Sequence, residues 1–351
     1  MKNNCMQTVI RADSSAVIGS GHLVRSLTLA ERLRKDKNAE VRFISRDLPG
    51  NLSFLVTQKG FKLHLLPPAE ENKYLSGYTK WLTVTEEQDA EETLAILNGI
   101  GKVDLLVVDH YALDIVWENR LRPLAEKIFV IDDLANRKHN CDVLLDQNFY
   151  LDKDKRYVGL VPQSCEMLLG PKYALLREEF FEVKKRLKKR DGKVQRLLVF
   201  YGGSDATNET EKAIRAILRL NACVDTDIVV GARNPHKESI RALCNSYEFL
   251  HYYEQVDNMA ELMNNADLML GAGGATTWER CFLELPCIVT AIAENQRKSS
   301  EDCAFAGLIE YLGFYDTVDE KAIIDSIHSM DSEKLVRMAE NCLRIFNEGN
   351  E

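Results

Sequence analysis

Residues 8–35 read TVIRADSSAVIGSGHLVRSLTLAERLRK. A short apolar run, TVIRA, gives way to a loop of small residues and then to LVRSLTLAERLRK, whose apolar positions recur at helical spacing. The stretch predicts a strand, a glycine-bearing loop and a helix, which is the opening unit of a parallel α/β sheet.

Working outward, the same unit recurs. VRFISR, VDLLVVDHY, KIFVIDDL and CDVLLDQN are short Val/Ile/Leu runs that end in polar residues. Continuous apolar strands alternating with helices predict a parallel sheet covered on both faces. Between residues 152 and 191 the pattern loosens into a charged stretch. It then restarts with QRLLVFYGGSD, the helical TEKAIRAILRL, DIVVGARN, HKESIRALCNS, the acidic and polar YYEQVDNMAELMNNA, ADLMLGAGG, the helical TTWERCFLEL and PCIVTAIA. A chain of 351 residues accommodates two domains of ordinary size. The fold expected is therefore α/β, with two Rossmann-like doubly wound domains over residues 1–178 and 179–351 and a ligand site in the cleft between them.

The net charge of −9 repels polyanions, so neither nucleic acid nor an anionic membrane is an expected partner, and an anionic ligand needs a local pocket. Nine cysteines are scattered with no CxxC pair and no Cys/His zinc spacing, which reads as reduced thiols in a cytoplasmic protein. The N-terminal apolar run is too short for a signal peptide, and no run approaches the ~18 residues of a membrane span. A soluble monomer without stable membrane association is expected. Asp152 and Asp154 form a DxD-like pair, but they sit among lysines with no further carboxylate or histidine nearby, so no metal is assigned; no cofactor is expected either.

The first candidate site is Gly19-Ser20-Gly21-His22, between the first strand and its helix. Glycines there let backbone amides approach a ligand, the helix N-terminus favours negative charge, and a neutral imidazole can take a proton from water. A loop histidine bonded to its own turn is the competing interpretation. Arg11 and Asp13 at the strand end, and Arg25 one turn after His22, are suited to hold an anionic or acetamido group or to form structural ion pairs. Asp109 and Tyr111 end one strand, and Asp132-Asp133 end another; such carboxylates orient His22, bind sugar or cap the next turn.

The second candidate site is Gly271–Glu279, GAGGATTWE. Gly273 and Gly274 permit close backbone contact, Ala275 and the residues after it offer amides to a diphosphate, and Thr276 and Thr277 supply hydroxyls and an N-cap. Glu279 suits the two hydroxyls of a ribose, with helix-dipole pairing as the alternative. The Walker lysine is missing, which disfavours a P-loop ATPase. Gly203 and Ser204, in YGGSD, are a second loop able to touch the same phosphates, or a simple turn. Asn295 and Gln296 offer amides to sugar hydroxyls or acetamides, unless they form only a polar loop.

Taken together, RADSSAVIGSGHLVRSLTLAERL, VVDHYALD, IDDLANRKHNCDVLLDQN, GPKYALLREEF, YGGSD and GAGGATTWERCFLELPCIVTAIAENQ resemble the UDP-sugar hydrolases of the pseudaminic acid pathway, the PseG type. These are relatives of the MurG-like glycosyltransferases of GT-B fold, and the resemblance runs over almost the whole chain. It implies release of UDP from UDP-2,4-diacetamido-2,4,6-trideoxy-beta-L-altropyranose without a metal, for a surface glycan such as that of flagellin. It also implies that His22 is the catalytic histidine, that GAGGATTWE is the nucleotide loop, and that Arg11, Asp13, Tyr111, Asn295 and Gln296 lie among sugar or phosphate contacts. Two rivals are a MurG-like transferase that gives the sugar to an acceptor hydroxyl, and a non-catalytic UDP-sugar sensor.

Overall fold

The computed structural model describes residues 5–69, 73–220 and 223–347. It divides into two compact units: the first runs to Asn148 and resumes over Asp152–Leu175, while the second takes Phe149–Leu151 and continues from Leu176.

The first unit is a seven-stranded parallel sheet built from β1 (Gln7–Ala12), β2 (Glu40–Arg46), β3 (Lys62–Leu66), β4 (Val103–Asp109), β5 (Ala125–Ile131), β6 (Val143–Asp146) and β7 (Glu166–Leu169), in the order β3-β2-β1-β4-β5-β6-β7. Side chains alternate across the pleat. Val9, Ile44, Leu106 and Val108 pack on one face together with Trp117. Ile10, Phe43, Leu105 and Val107 pack on the other, against Leu23, Leu27 and Ala30 of the helix Gly21–Lys37. Each fully buried Val, Leu, Ile or Phe among them contributes about 1.5–3 kcal/mol. That helix stops at Asn38, which adopts a left-handed conformation (φ 50°) and donates its N–H to Leu33, while Arg34, Lys35 and Lys37 complement the negative helix end.

The second unit repeats the plan with β8 (Arg196–Phe200), β9 (Asp225–Val230), β10 (Leu250–Glu254), β11 (Leu268–Ala272), β12 (Cys287–Ala291) and β13 (Glu310–Phe314), again all parallel, in the order β10-β9-β8-β11-β12-β13. Each sheet reverses its strand order once, between β1 and β4 in the first and between β8 and β11 in the second. At such a switch point the loops leaving the two strands diverge to opposite faces and open a crevice at the strand ends. His22 follows β1 and Asp109 ends β4; YGGSD follows β8 and the GAGG loop ends β11. Topology alone therefore brings His22 beside Asp109, and the YGGSD loop beside the GAGG loop, at the two switch points.

Reading apolar runs passes over β3, β7, β10 and β13, which are the four edge strands of the two sheets. Paired on one side only, they are half-buried or exposed over most of their length, and their apolar stretches are short or interrupted; the stretch YYEQVDNMAELMNNA begins inside β10. No helix among the described residues is long and apolar enough to cross a membrane.

Candidate functional site

The loop after β1 is organised by its own side chains. Ser15 Oγ accepts the amides of Val17 and Ile18, and Gly19, at φ 79°, donates its N–H to the Ser15 carbonyl (2.9 Å). That φ is the left-handed region, where a Cβ is strained, which accounts for glycine at this position. The turn sets His22 in the first turn of its helix, almost fully buried.

Asp109 is the hub of what His22 meets. The His22 Nδ1–H donates to Asp109 Oδ1 at 2.6 Å, Arg25 donates to both oxygens (Nη2 at 2.6 Å, Nε at 2.8 Å), and Ser26 Oγ–H adds a fourth bond at 3.0 Å. An ionised carboxylate only accepts, so the contact places the imidazole proton on Nδ1 and leaves the Nε2 lone pair available. Burial opposes ionisation of Asp109, but the charge of Arg25 and the hydrogen bonds from Arg25 and His22 hold its carboxyl well below the usual carboxylate range. Arg25 also reaches Asp133 Oδ2 at 3.1 Å, and Asp133 accepts the Tyr111 hydroxyl. Tyr111 in turn lies edge-on to the His22 ring, with centroids 4.5 Å apart.

Arg11 and Asp13 are placed differently from the ligand contacts expected of them. Both side chains are fully buried, and Arg11 is paired with Asp13 (2.9 Å) and with Asp89 (2.7 Å) of the helix Glu86–Ile100. Asp13 accepts the Arg46 amide and lies 3.3 Å from His110 Nε2. Desolvation works against both charges, but each is held ionised by the other. With no exposed surface, the Arg11 guanidinium is enclosed in an ion-pair network with Asp13 and Asp89. Asp132 is likewise buried, paired with Arg137 at 2.7 Å and accepting the Ala135 amide.

Asp146, at the end of β6, lies 3.4 Å from Arg156 Nε yet is held above the usual carboxylate range. Burial and the charge of Asp133 push it up to about 8, although it accepts bonds from Tyr157 and from the Asn148 amide. Between an ordinary carboxylate value and pH ~8 the folded chain thus binds a proton that the unfolded chain has released, so this group's contribution falls as pH rises through that window. Asp146→Asn is expected to narrow the difference between melting temperatures measured at about pH 5 and about pH 8.5 by raising the latter. An unchanged difference would mean that Asp146 ionises like a surface carboxylate.

In the second unit two glycine loops meet at the switch point. A Cβ on Gly231 would come within 2.0 Å of the Gly203 carbonyl oxygen, so Gly231 is what allows the YGGSD loop to lie against the end of β9. Gly231→Ala should displace that loop, lowering stability by about 1–3 kcal/mol in thermal unfolding. A variant that melts as wild type would show that the loop has no need of this packing. Ser204 is exposed at the loop tip, and the adjacent Asp205 accepts the amides of Glu209 and Thr210, capping the helix Glu209–Leu218.

The helix after the GAGG loop spans Thr276–Phe282 with Ala275 at the N-cap position and no side-chain cap, so Thr276 and Thr277 lie inside the helix and do not cap it. The chain turns earlier than their hydroxyls require, through Thr277 N–H to Gly274 O at 2.9 Å. Thr277 Oγ1 is buried and makes no hydrogen bond within the protein. Glu279 accepts from Arg177 Nε at 2.9 Å. Gln296, in the first turn of the helix Glu294–Phe305, packs beside Gly273 and Gly274, and Asn295 precedes it. A Cβ on Gly273 would fall 2.4 Å from Ser300 Oγ, so glycine lets this helix lie against the loop.

The structure thus gathers His22, Arg25, Asp109 and Tyr111 in the first unit, and Gly203, Ser204, Gly273, Gly274, Ala275, Thr276, Thr277, Glu279, Asn295 and Gln296 around two loops of the second. Tyr78 and Trp81, which the sequence reading does not single out, join the first group from the helical turn Gly77–Leu82. Neither belongs to a periodic segment, so no local pattern marks them. Asp152 and Asp154 lie exposed at the surface, and among the described residues no group of three or more His, Cys, Asp or Glu side chains is disposed to hold a metal ion. A separate hollow of about 330 Å³, lined in part by Arg190, Leu335, Ala339 and Leu343, contains none of the candidate residues.

Residues 196–342 match the family model of the glycosyltransferase family 28 C-terminal domain. The chain is 26% identical over 310 residues to a UDP-2,4-diacetamido-2,4,6-trideoxy-beta-L-altropyranose hydrolase of Campylobacter jejuni, the match covering 87% of this chain and 99% of that protein. It is 26% identical over 305 residues to an uncharacterized protein of Methanocaldococcus jannaschii, covering 85% of this chain but only 58% of that longer protein. Among solved structures, MurG of Acinetobacter baumannii aligns with a TM-score of 0.64 at 14% identity, covering 97% of this chain and 95% of that one. Two parallel-sheet α/β units with these structural neighbours are the GT-B fold, as the sequence resemblance implies.

Proposed function

We propose that this GT-B chain, a relative of UDP-sugar hydrolases and of family 28 glycosyltransferases, hydrolyses UDP-2,4-diacetamido-2,4,6-trideoxy-beta-L-altropyranose to UDP and the free diacetamido sugar. The observation that carries the reading is the His22–Asp109 contact at 2.6 Å, which fixes the ring and leaves Nε2 as its basic nitrogen. The kinship with the Campylobacter hydrolase supplies the substrate.

In this mechanism His22 Nε2 removes a proton from water as the water attacks the anomeric carbon and the bond to the UDP oxygen breaks. Asp109 holds the ring and stabilises the imidazolium that forms, as the carboxylate does in a Ser-His-Asp triad. Arg25 neutralises Asp109 and is a positioning residue. UDP is already a good leaving group, so the remaining task is to stabilise charge on the departing diphosphate. That role falls to the backbone of Gly203, Gly273, Gly274 and Ala275 and the hydroxyls of Ser204, Thr276 and Thr277. The buried, unpartnered Thr277 Oγ1 supports it, since such an atom in a folded protein calls for a partner. Glu279 receives the ribose, and Tyr111, Asn295 and Gln296 the sugar and its amides. A single displacement of this kind inverts the anomeric centre.

The family 28 match favours one rival, a transferase in which an acceptor hydroxyl takes the place of water. Incubating the purified protein with the UDP-diacetamido sugar and no acceptor separates the two. UDP and free sugar should appear in equal amounts, with UDP-N-acetylglucosamine left intact; release of UDP only after an acceptor is added would establish the transferase instead.

A further inference from the structure

We propose that Trp81 and Tyr78 form, with Tyr111, an aromatic wall beside His22 on which the methyl-bearing groups of the sugar rest, and that Trp81 is the specificity-determining residue. The inference rests on the hydrolase reading above.

The indole of Trp81 stacks on Tyr111 with centroids 5.3 Å apart and planes 26° from parallel, and it meets the His22 ring edge-on at 5.7 Å. Tyr78 stands edge-on to both, 4.9 Å from Trp81 and 5.0 Å from Tyr111. The turn that carries them is fixed: Leu82 is fully buried, Ser76 and Thr79 form a capping box, and Thr83 closes the turn at φ 61°.

Exposure separates Trp81 and Tyr78 from ordinary core aromatics and from Tyr111, which is 7% exposed and backs them. Trp117 and Trp278, the other two tryptophans, are 0% and 1% exposed, whereas Trp81 and Tyr78 are only half-buried. Aromatic surface is therefore left open next to the proposed base, where a small-molecule site gains most from flat apolar walls. The chemistry of the sugar suits such a wall. Relative to N-acetylglucosamine it carries a methyl in place of the hydroxymethyl and a second acetamido group in place of a hydroxyl. The wall thus faces two additional methyl groups on the correct sugar and meets polar hydroxyls on the wrong one. One such methyl-sized difference in an apolar site is worth about 10- to 200-fold in selectivity.

The test compares wild type, Trp81→Phe and Trp81→Ala, all first checked for an unchanged melting temperature. Free 2,4-diacetamido-2,4,6-trideoxy-L-altrose is titrated into each, followed by tryptophan fluorescence and calorimetry, beside UDP titrations and steady-state kinetics. Sugar should change the wild-type emission, because only Trp81 of the three indoles is open to it. Trp81→Phe should lose that signal yet keep sugar affinity. Trp81→Ala should raise sugar Kd and substrate KM by roughly tenfold, with UDP affinity unchanged and kcat affected less. Unchanged sugar affinity in Trp81→Ala, or a loss confined to kcat, would reduce Trp81 to a prop for His22 and overturn the proposal. If wild type neither binds the sugar nor turns over its UDP form, the hydrolase reading falls first and the wall falls with it.

Discussion

Replacing His22 with glutamine is expected to lower kcat by about 10²- to 10⁴-fold, the usual worth of a positioned general base, while UDP binds with nearly wild-type affinity. Glutamine is close to the imidazole in reach and can still donate to Asp109, so the network around Arg25 has a partner in place of the ring. What is lost is the basic nitrogen. Because the UDP contacts assigned above lie in other loops, calorimetric titration with UDP should not register the change. Loss of UDP affinity in step with loss of rate would make His22 a binding residue, and a variant with wild-type turnover would remove it from the mechanism.

Asp109→Asn should be at least as damaging to turnover and considerably worse for folding. The carboxylate accepts four bonds in a fully buried position, two of them from Arg25. Neutralising it leaves the guanidinium short of charge in the interior, and breaking a buried pair in this way costs about 3–5 kcal/mol. The amide can also turn its NH2 toward His22 Nδ1, which drives the imidazole proton onto Nε2 and removes the base. In the serine-protease triad the equivalent change costs about 10⁴ in kcat, and an effect of that order is expected here. Residues acting as one unit are strongly non-additive, so the double variant His22→Gln/Asp109→Asn should be scarcely slower than the worse single variant. Additive losses would show that the two side chains serve the reaction independently.

Much of this architecture is legible before any coordinate is seen, for reasons that are local. The run TVIRADSSAVIGSGH carries a buried strand, a glycine that takes positive φ and a helix start within a few residues, and each obeys a short-range rule. The four edge strands escape because the signal read was continuous burial, and an edge strand has too little of it. Long-range partners escape for a different reason. Asp89 lies 78 residues from Arg11 in an acidic helical stretch, EEQDAEE, where one buried carboxylate looks like its solvated neighbours. Only the fold reveals that Arg11 is enclosed rather than facing a ligand. Trp81 presents the same problem: a tryptophan in an aperiodic segment has no pattern to identify it, and its contact with His22 exists only once β1 and the turn Gly77–Leu82 are brought together. Asp109 falls between these cases, since its place at a strand end is readable while its bond to His22 requires the switch point between β1 and β4.

The most direct test of the central claim is to run the reaction in ¹⁸O-enriched water and follow it by time-resolved NMR and mass spectrometry. Attack of a His22-activated water on the anomeric carbon puts the label in the free diacetamido sugar, which first appears with inverted anomeric configuration, and leaves UDP unlabelled. Label in UDP would mean that water attacks phosphorus, and that outcome would contradict the mechanism whatever the rate.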